Sequence, residues 1–482
     1  MLKRISSIIT AALVLGIVVA TVCTTNLVQG KRSLSENRVL RTFPVFFDKG
    51  GMRSGLLGEI NNWFKDNIGF RDFYKQLGNT INFNVFHMST SPNVQRGKDG
   101  WLFYTLDSNL EVADGTYPNF TEEKISRYCK QLTAVQERLK KQGIEFVFAI
   151  PPSKASVYPE YIQGINRIAE KSPADLLADY LEKNSSIRVV RFKDALIAEK
   201  SKSADLLFYK TDTHWNWSGR YIGYKKLISD FNKWGLIHSP AAEADLYGSV
   251  PCAGDLSNMM GPIDLKGTRF SEKDTKLLRI KNPQAKEIKS GEAFEQFRKQ
   301  AGRISVPERS FYSVNVAKQD EPKILIFGDS MVRGCIINLL AENFSDTKFV
   351  WTYRLDQELI DACNPNIVML DISERGLGWS LLHATDAFLK TEFRLDSKAK
   401  VLDIYYRDEG ACSQMYFPTW SRSNGQDDLV WYKAERVDAD TWHVKADVSH
   451  HGSGIYDIHF YDEVDGKRKC VFGTTFTVAE TP

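Results

Sequence analysis

None of the seven cysteines stands in a Cys-x-x-Cys pair, the spacing that zinc ribbons and thiol redox motifs require. None of the eight histidines has a partner four residues away, so the His-x-x-x-His pattern of metal-dependent deacetylases is missing. Charge of one sign is lacking too: 63 basic and 60 acidic residues leave a net charge of +3, with no long like-charged run. That balance gives no field suited to nucleic acid. No metal, no cofactor and no nucleic-acid partner are therefore expected. The cysteines are odd in number and scattered, which predicts buried thiols, although export would permit Cys412 to pair with Cys470.

What is present is ordinary globular composition, 43% hydrophobic and 26% charged over 482 residues. That length exceeds one typical core and predicts two folded domains beside an anchor. Lys3 and Arg4 precede an apolar stretch over residues 5–28. A positive flank before an apolar run marks a signal anchor or a cleavable signal peptide over residues 1–30. The flank places residues 1–4 inside and the rest outside. Export to the outer face of the cell membrane is expected in either case. Cys23 invites a lipoprotein reading, against which Val22 is bulky for a lipobox.

Residues 33–50 read as an extended lead-in. Residues 55–77 carry helical apolar spacing, broken near Gly69. Thr121 is placed to cap a helix ending near Gln142, followed by a buried strand over 145–150 that Pro151 and Pro152 stop. A helix over 172–183, a strand over 187–192, and a helix capped by Ser218 and running to Trp234 follow. Then come a strand over 323–327, a helix over 332–340 and a strand over 367–370. This alternation predicts an α/β domain over residues 31–395 with a mostly parallel sheet flanked by helices. Residues 263–320 look like an irregular insertion. After Lys398, short strands without helices predict a small all-β sandwich over 396–482.

Two segments carry chemistry. The run Ile324-Leu325-Ile326-Phe327-Gly328-Asp329-Ser330 delivers a serine to the carboxyl end of the sheet, where open α/β folds bind ligands. A helix beginning there would offer backbone N–H groups to an oxyanion. The run Thr211-Asp212-Thr213-His214-Trp215 sets a carboxylate two residues from an imidazole, which an extended backbone sends to one side. Each segment alone also suits a plain structural role, a turn or a helix cap. Together they complete a nucleophile–base–orienter set of Ser330, His214 and Asp212.

Further signatures accompany these in order: Ser35-Glu36-Asn37-Arg38 with Phe43-Pro44, Phe64-Lys65-Asp66-Asn67 with Arg71, and Gly97-Lys98-Asp99-Gly100-Trp101-Leu102-Phe103. Gly254-Asp255-Leu256 and Glu374-Arg375 complete the series. On these residues the chain resembles the alginate O-acetyltransferase-like, SGNH-hydrolase-related family of exported proteins, including its Asp-His-His-Trp group, over about residues 33–390. Thr213 stands where one subgroup has His, which is closer to the alginate-acetylating branch. The resemblance implies an SGNH-hydrolase-like fold, Ser330 as nucleophile, His214 as base and Asp212 as orienter. It also implies a polysaccharide acceptor and a membrane-bound O-acyltransferase as acetyl-donor partner. Tyr353 and Arg354 sit where family members often supply substrate-binding groups, and Arg354 is preferred over Arg375. Residues from about 398 resemble the Bsp-like repeat of group B streptococcal surface proteins through Gly454-Ile455-Tyr456-Asp457-Ile458-His459 and Gly473-Thr474-Thr475-Phe476. That likeness points to a Gram-positive envelope. His450, His451 and His459 are expected to be surface neighbours rather than a metal site. Trp420, Trp431 and Trp442 suit either a core or a sugar platform.

Three functions fit. One is an O-acetyltransferase working through an acetyl-serine. The second is an acetylesterase with the same triad. The third is a non-catalytic polysaccharide-binding scaffold, which the intact triad residues disfavour.

Overall fold

Within the strand β1 (Glu145–Ile150), Val147 and Ala149 face one hydrophobic core while Phe146, Phe148 and Ile150 face another. The same division holds for Ile324 and Ile326 against Leu325 and Phe327, and for Ile367 and Met369 against Val368 and Leu370. Successive strand side chains point to opposite faces, so a run apolar at every position belongs to a sheet covered on both sides. In a computed structural model, which describes residues 2–478 apart from 28–29, 34–37, 49–50, 53–54, 106–119, 165–169, 204, 335, 397, 409–411, 423–425, 450–453 and 465, these runs are the central strands of a seven-stranded sheet.

The sheet contains β1, β2 (Arg188–Arg191), β3 (Lys286–Glu287), β4 (Phe311–Val314), β5 (Lys323–Gly328), β6 (Asp346–Trp351) and β7 (Ile367–Asp371), in the order β3-β4-β6-β5-β7-β1-β2. The pairs from β6 through β2 are parallel, while β4 runs antiparallel to β6 and β3 antiparallel to β4. The mostly parallel sheet expected from sequence is thus present. Residues 263–320, read as an irregular insertion, instead supply this antiparallel edge and, with Ala244–Cys252, a hairpin strand Glu272–Ile280. Their polar composition suits an edge that faces water on one side.

Helix boundaries follow local chemistry. The helix Glu122–Lys140 begins where the Thr121 side chain accepts from the Lys124 N–H. The helix Pro173–Asn184 opens with a capping box between Ser172 and Asp175. Asn216, rather than Ser218, caps the next helix, Trp217–Lys233, by accepting from the Gly219 N–H. The single helix expected over 332–340 is two short ones, Ser330–Arg333 and Ile337–Leu340, the first closing at Gly334.

Near the amino end, α1 (Leu2–Thr24) is followed by α2 (Leu56–Asn67) and α3 (Arg71–Asn84). The last two are separated at Gly69, as the sequence suggests. A Cβ at Gly69 would lie 2.2 Å from the Thr21 carbonyl oxygen, so only glycine lets α1 approach this closely. Asp66 accepts from the Arg41 N–H and Asn67 donates to the Arg41 carbonyl. These contacts give the Phe64–Asn67 signature a structural role. Among the described residues no helix is long and apolar enough to cross a membrane.

The carboxyl-terminal strands form two four-stranded antiparallel sheets. One orders Thr391–Asp396, Val401–Arg407, Thr441–Asp447 and Glu435–Arg436. The other orders Val430–Lys433, Gln414–Ser421, Gly454–Val464 and Lys467–Val478. Their inner faces meet on Ile404, Phe417, Trp442, Ile458 and Phe460. Trp442 is therefore core. Cys412 and Cys470 are free thiols, and Cys23 and Cys470 are exposed, contrary to the expectation of burial throughout. Ser35, Glu36, Asn37, Cys335, His450 and His451 lie outside the described residues.

Candidate active site

β5 ends at Gly328, and Asp329 begins the turn by accepting from the Met331 N–H at 2.8 Å. A Cβ on Gly328 would come within 2.9 Å of Asp371 Oδ2 on the neighbouring strand, so the residue before the turn has to be glycine. Ser330 is thereby carried to the carboxyl end of the sheet. The helix that follows has only four residues, too few for the sizeable dipole that a longer helix would supply. Any oxyanion stabilisation here falls to individual N–H groups and nearby side chains.

On the opposite segment, Asp212 and His214 are brought together by a turn rather than by extended backbone. Asp212 Oδ1 accepts from the backbone N–H of His214 at 2.9 Å, the geometry of an Asx-turn. The same oxygen lies 2.6 Å from His214 Nδ1, and His214 Nε2 lies 2.7 Å from Ser330 Oγ. The three residues singled out from sequence thus form one unbroken line, serine to imidazole to carboxylate. Burial pushes the Asp212 carboxyl up. The hydrogen bond and charge of His214, with N–H donors from Asp255 and His214, outweigh that and hold it well below the usual carboxylate range. An ionised Asp212 keeps the proton on Nδ1 and leaves Nε2 free to accept from the serine.

Further residues hold this line: Gly254, Asp255 and Trp215 from the signatures quoted above, and Lys154 and Glu272, which the sequence did not single out. Gly254 packs on Thr211 and Asp212 so tightly that a Cβ would be 2.4 Å from Asp212 Cβ. Next to it, the Asp255 N–H donates to Asp212 Oδ2 at 2.9 Å, and Asp255 Oδ1 accepts from the Thr213 N–H at 2.7 Å. Glu272 accepts from the N–H groups of Lys210 and Thr211. The buried Lys154 donates to the carbonyls of Tyr209, Lys210 and Asp212. Burial brings its pKa down to about 8, opposed by the carboxylates of Asp255, Asp212 and Glu272. Trp215, fully buried, donates from its indole to the Met331 carbonyl at 3.3 Å and so ties the histidine segment to the serine turn. Among the described residues, Asp212, His214 and Asp255 are the one group close enough to share a metal ion. The hydrogen bonds already named account for their positions.

Tyr353 and Arg354 part company. Tyr353 donates to Asp329 and lies 3.4 Å from Ser373 Oγ, directly behind the serine turn. Burial and the Asp329 charge raise its pKa, so it remains a donor. Arg354 turns the other way, to Thr474 in the carboxyl-terminal sandwich. Its expected substrate contact gains no support from this position. Arg375 instead lines a small cleft with Ser153, Ser373, Tyr104, Thr213 and Met331. That cleft adjoins the serine and histidine segments. Glu374, buried beneath it, accepts from the Ser153 N–H and the Ser156 hydroxyl.

Residues 94–300 match the family described as the SGNH hydrolase-like domain of acetyltransferase AlgX, and residues 395–477 match the GBS Bsp-like repeat. Among curated proteins, the probable alginate O-acetylase AlgJ of Pseudomonas putida is 28% identical over 200 residues, 39% of this chain and 48% of that protein. Its counterpart from Pseudomonas syringae pv. tomato is 27% identical over 237 residues, 48% of this chain and 57% of that protein. The chain spans about half the length of these curated relatives. Similar solved structures include the O-acetyltransferase domain of Pseudomonas putida AlgJ, with a TM-score of 0.40 and 16% identity over 60% of this chain and 93% of that one. Bacillus cereus PatB1 gives a TM-score of 0.41 and 17% identity over 60% of this chain and 98% of that one. Residues 94–300 are accordingly similar to the SGNH hydrolase-like domain of alginate-acetyltransferase type, and residues 395–477 to the Bsp-like repeat.

Proposed function

We propose that this protein transfers acetyl groups to hydroxyls of an extracellular polysaccharide through an acetyl-Ser330 intermediate. The observation that carries the proposal is His214 bridging Ser330 Oγ at 2.7 Å and Asp212 at 2.6 Å. In the first half, Ser330 Oγ attacks the acetyl carbonyl of the donor and its proton passes to His214 Nε2. Collapse of the tetrahedral intermediate expels the donor's leaving group, which takes that proton, and leaves acetyl on Ser330. In the second half, a sugar hydroxyl gives its proton to His214 and attacks the acetyl-serine. Ser330 leaves and recovers the proton, so each half returns the imidazole to its neutral form. The small cleft lined by Ser153, Ser373 and Arg375 adjoins Met331, next to the nucleophile, and would face the developing oxyanion.

The acetyl-donor partner in this proposal is a membrane-bound O-acyltransferase, as the family resemblance of the sequence implies. The chain would sit at the outer face of the cell membrane, where the polysaccharide acceptor is found. Replacing Ser330 with Ala should lower acetyl transfer by about 10⁴-fold or more. Mass analysis of an oligosaccharide incubated with enzyme and acetyl donor distinguishes transfer, seen as acetylated sugar, from hydrolysis, seen as free acetate alone. Full activity in Ser330→Ala would end the proposal.

A further inference from the structure

The carboxyl-terminal sandwich has two unlike faces on one sheet. In the strand Gln414–Ser421, Met415 and Phe417 enter the core, so Tyr416, Pro418 and Trp420 point outward. In Gly454–Val464, Tyr456, Ile458 and Phe460 enter the core, and Asp457, His459 and Tyr461 point outward. The register sets Tyr416 opposite Tyr461, Trp431 opposite Pro418, and Gly473 opposite His459. Five rings therefore share the outer face. Trp420 meets His459 at 4.7 Å, His459 stacks near Tyr461 at 6.4 Å, and Tyr461 meets Trp431 at 4.9 Å.

None of the five joins the apolar cluster between the two sheets; Trp420 is nonetheless buried, while Trp431 is 42% exposed. Gly473 contributes to the arrangement: a Cβ there would be 2.9 Å from His459 Cδ2, so its absence lets the imidazole lie against the strand. Two charge pairs lie on this face. Arg422 grips Asp457 with two hydrogen bonds, and Arg468, seated 3.7 Å over the Tyr416 ring, bonds Glu463.

We propose that this outer face binds an extended glycan chain, with sugar rings stacking on Trp431 and Tyr461; this presupposes the polysaccharide acceptor proposed above. A sugar ring has a flat C–H face and a rim of hydroxyls. Aromatic rings bordered by paired, hydrogen-bonding charges match both features. A protein partner held by the hydrophobic effect would instead need a contiguous apolar patch, and here the rings alternate with Asp457, Lys433 and Arg468.

The test is affinity electrophoresis of the full chain through gels containing amorphous cellulose, chitin or polymannuronate. Retention by at least one polymer is expected. The double variant Trp431→Ala/Tyr461→Ala should bind that polymer roughly tenfold or more weakly, while Trp431→Phe keeps most of the retention because a ring remains. Hydrolysis of 4-nitrophenyl acetate by the double variant should match the unaltered protein, and Ser330→Ala should be retained normally. Failure of all three polymers to retard the full chain, or equal retardation of the double variant, overturns the proposal. Loss of the catalytic reading would show separately, as ester hydrolysis insensitive to Ser330→Ala.

Discussion

Asp212 is the residue on which the geometry of the triad turns. One oxygen holds His214 by both ring and backbone, and the other accepts from Asp255. Asp212→Asn should lower acetyl transfer by roughly 10³–10⁴-fold, because an amide no longer dictates which nitrogen carries the proton. Its depressed folded pKa also has a stability consequence. The unfolded carboxylate takes up its proton at higher pH than the folded one. The stabilisation is therefore present above the usual carboxylate range and is lost as pH falls below about 4. Acid unfolding followed by circular dichroism should show a shallower decline below that pH in Asp212→Asn than in the unaltered chain. An identical decline would mean that Asp212 is not held ionised. Gly328 makes a different prediction: Gly328→Ala forces a methyl against the buried Asp371 and should cost about 1–3 kcal/mol in urea unfolding.

Elements explain why the serine and histidine segments, 116 residues apart, share one site. β5 sits at the middle of the sheet and fixes the serine turn. The histidine segment has no strand of its own to align it. It is held by the Gly254–Asp255 turn, by Glu272 on the 244–280 hairpin, by Lys154 after β1, and by Trp215 on Met331. Trp215→Phe keeps the ring and removes the indole donor. The loss should cost about 1 kcal/mol and lower the rate constant more than it alters substrate binding, a split measurable by steady-state kinetics. A change confined to substrate binding would contradict a positioning role.

The same level shows what was legible in the sequence. The runs at 145–150 and 323–327 marked the central strands because, past an exposed first residue, a doubly covered strand is apolar on both faces. Thr121 and Gly69 marked boundaries because cap and close-approach chemistry is local. Asp212, His214 and Ser330 were recognisable as types suited to one reaction, with a family likeness around them. Lys154 and Glu272 were not, since a lone charged residue usually faces solvent and only the fold buries these two. The short strands of residues 286–314 were hidden for a related reason: an edge strand is half polar and lacks the continuous apolar signal. Tyr353 and Arg354, paired in the sequence reading, point to different partners, Asp329 and Thr474.

At the scale of the whole molecule, the sandwich is joined to the catalytic domain through Arg354 and Thr474, beside a cavity lined by Arg138, Asp356 and Glu358. Arg303, almost fully buried, pairs there with Asp356 and Glu358. Arg354→Ala should loosen the two domains. Limited proteolysis near residue 391 should become faster while hydrolysis of a small acetyl ester stays within about twofold, because no triad contact is touched. Slower small-ester hydrolysis without faster cleavage would instead place Arg354 in the catalytic site. If the glycan face works with the triad, the same variant should lose activity on polymer more than on a small ester.

The central claim is that Ser330 carries the acetyl group. Protein incubated with 4-nitrophenyl acetate, quenched in acid, digested and analysed by tandem mass spectrometry tests it directly. An acetyl adduct on the peptide containing Ser330, absent from Ser330→Ala and strongly reduced in Asp212→Asn, is the predicted result. An acetyl group found only on other residues, or an adduct that persists in Ser330→Ala, would contradict it.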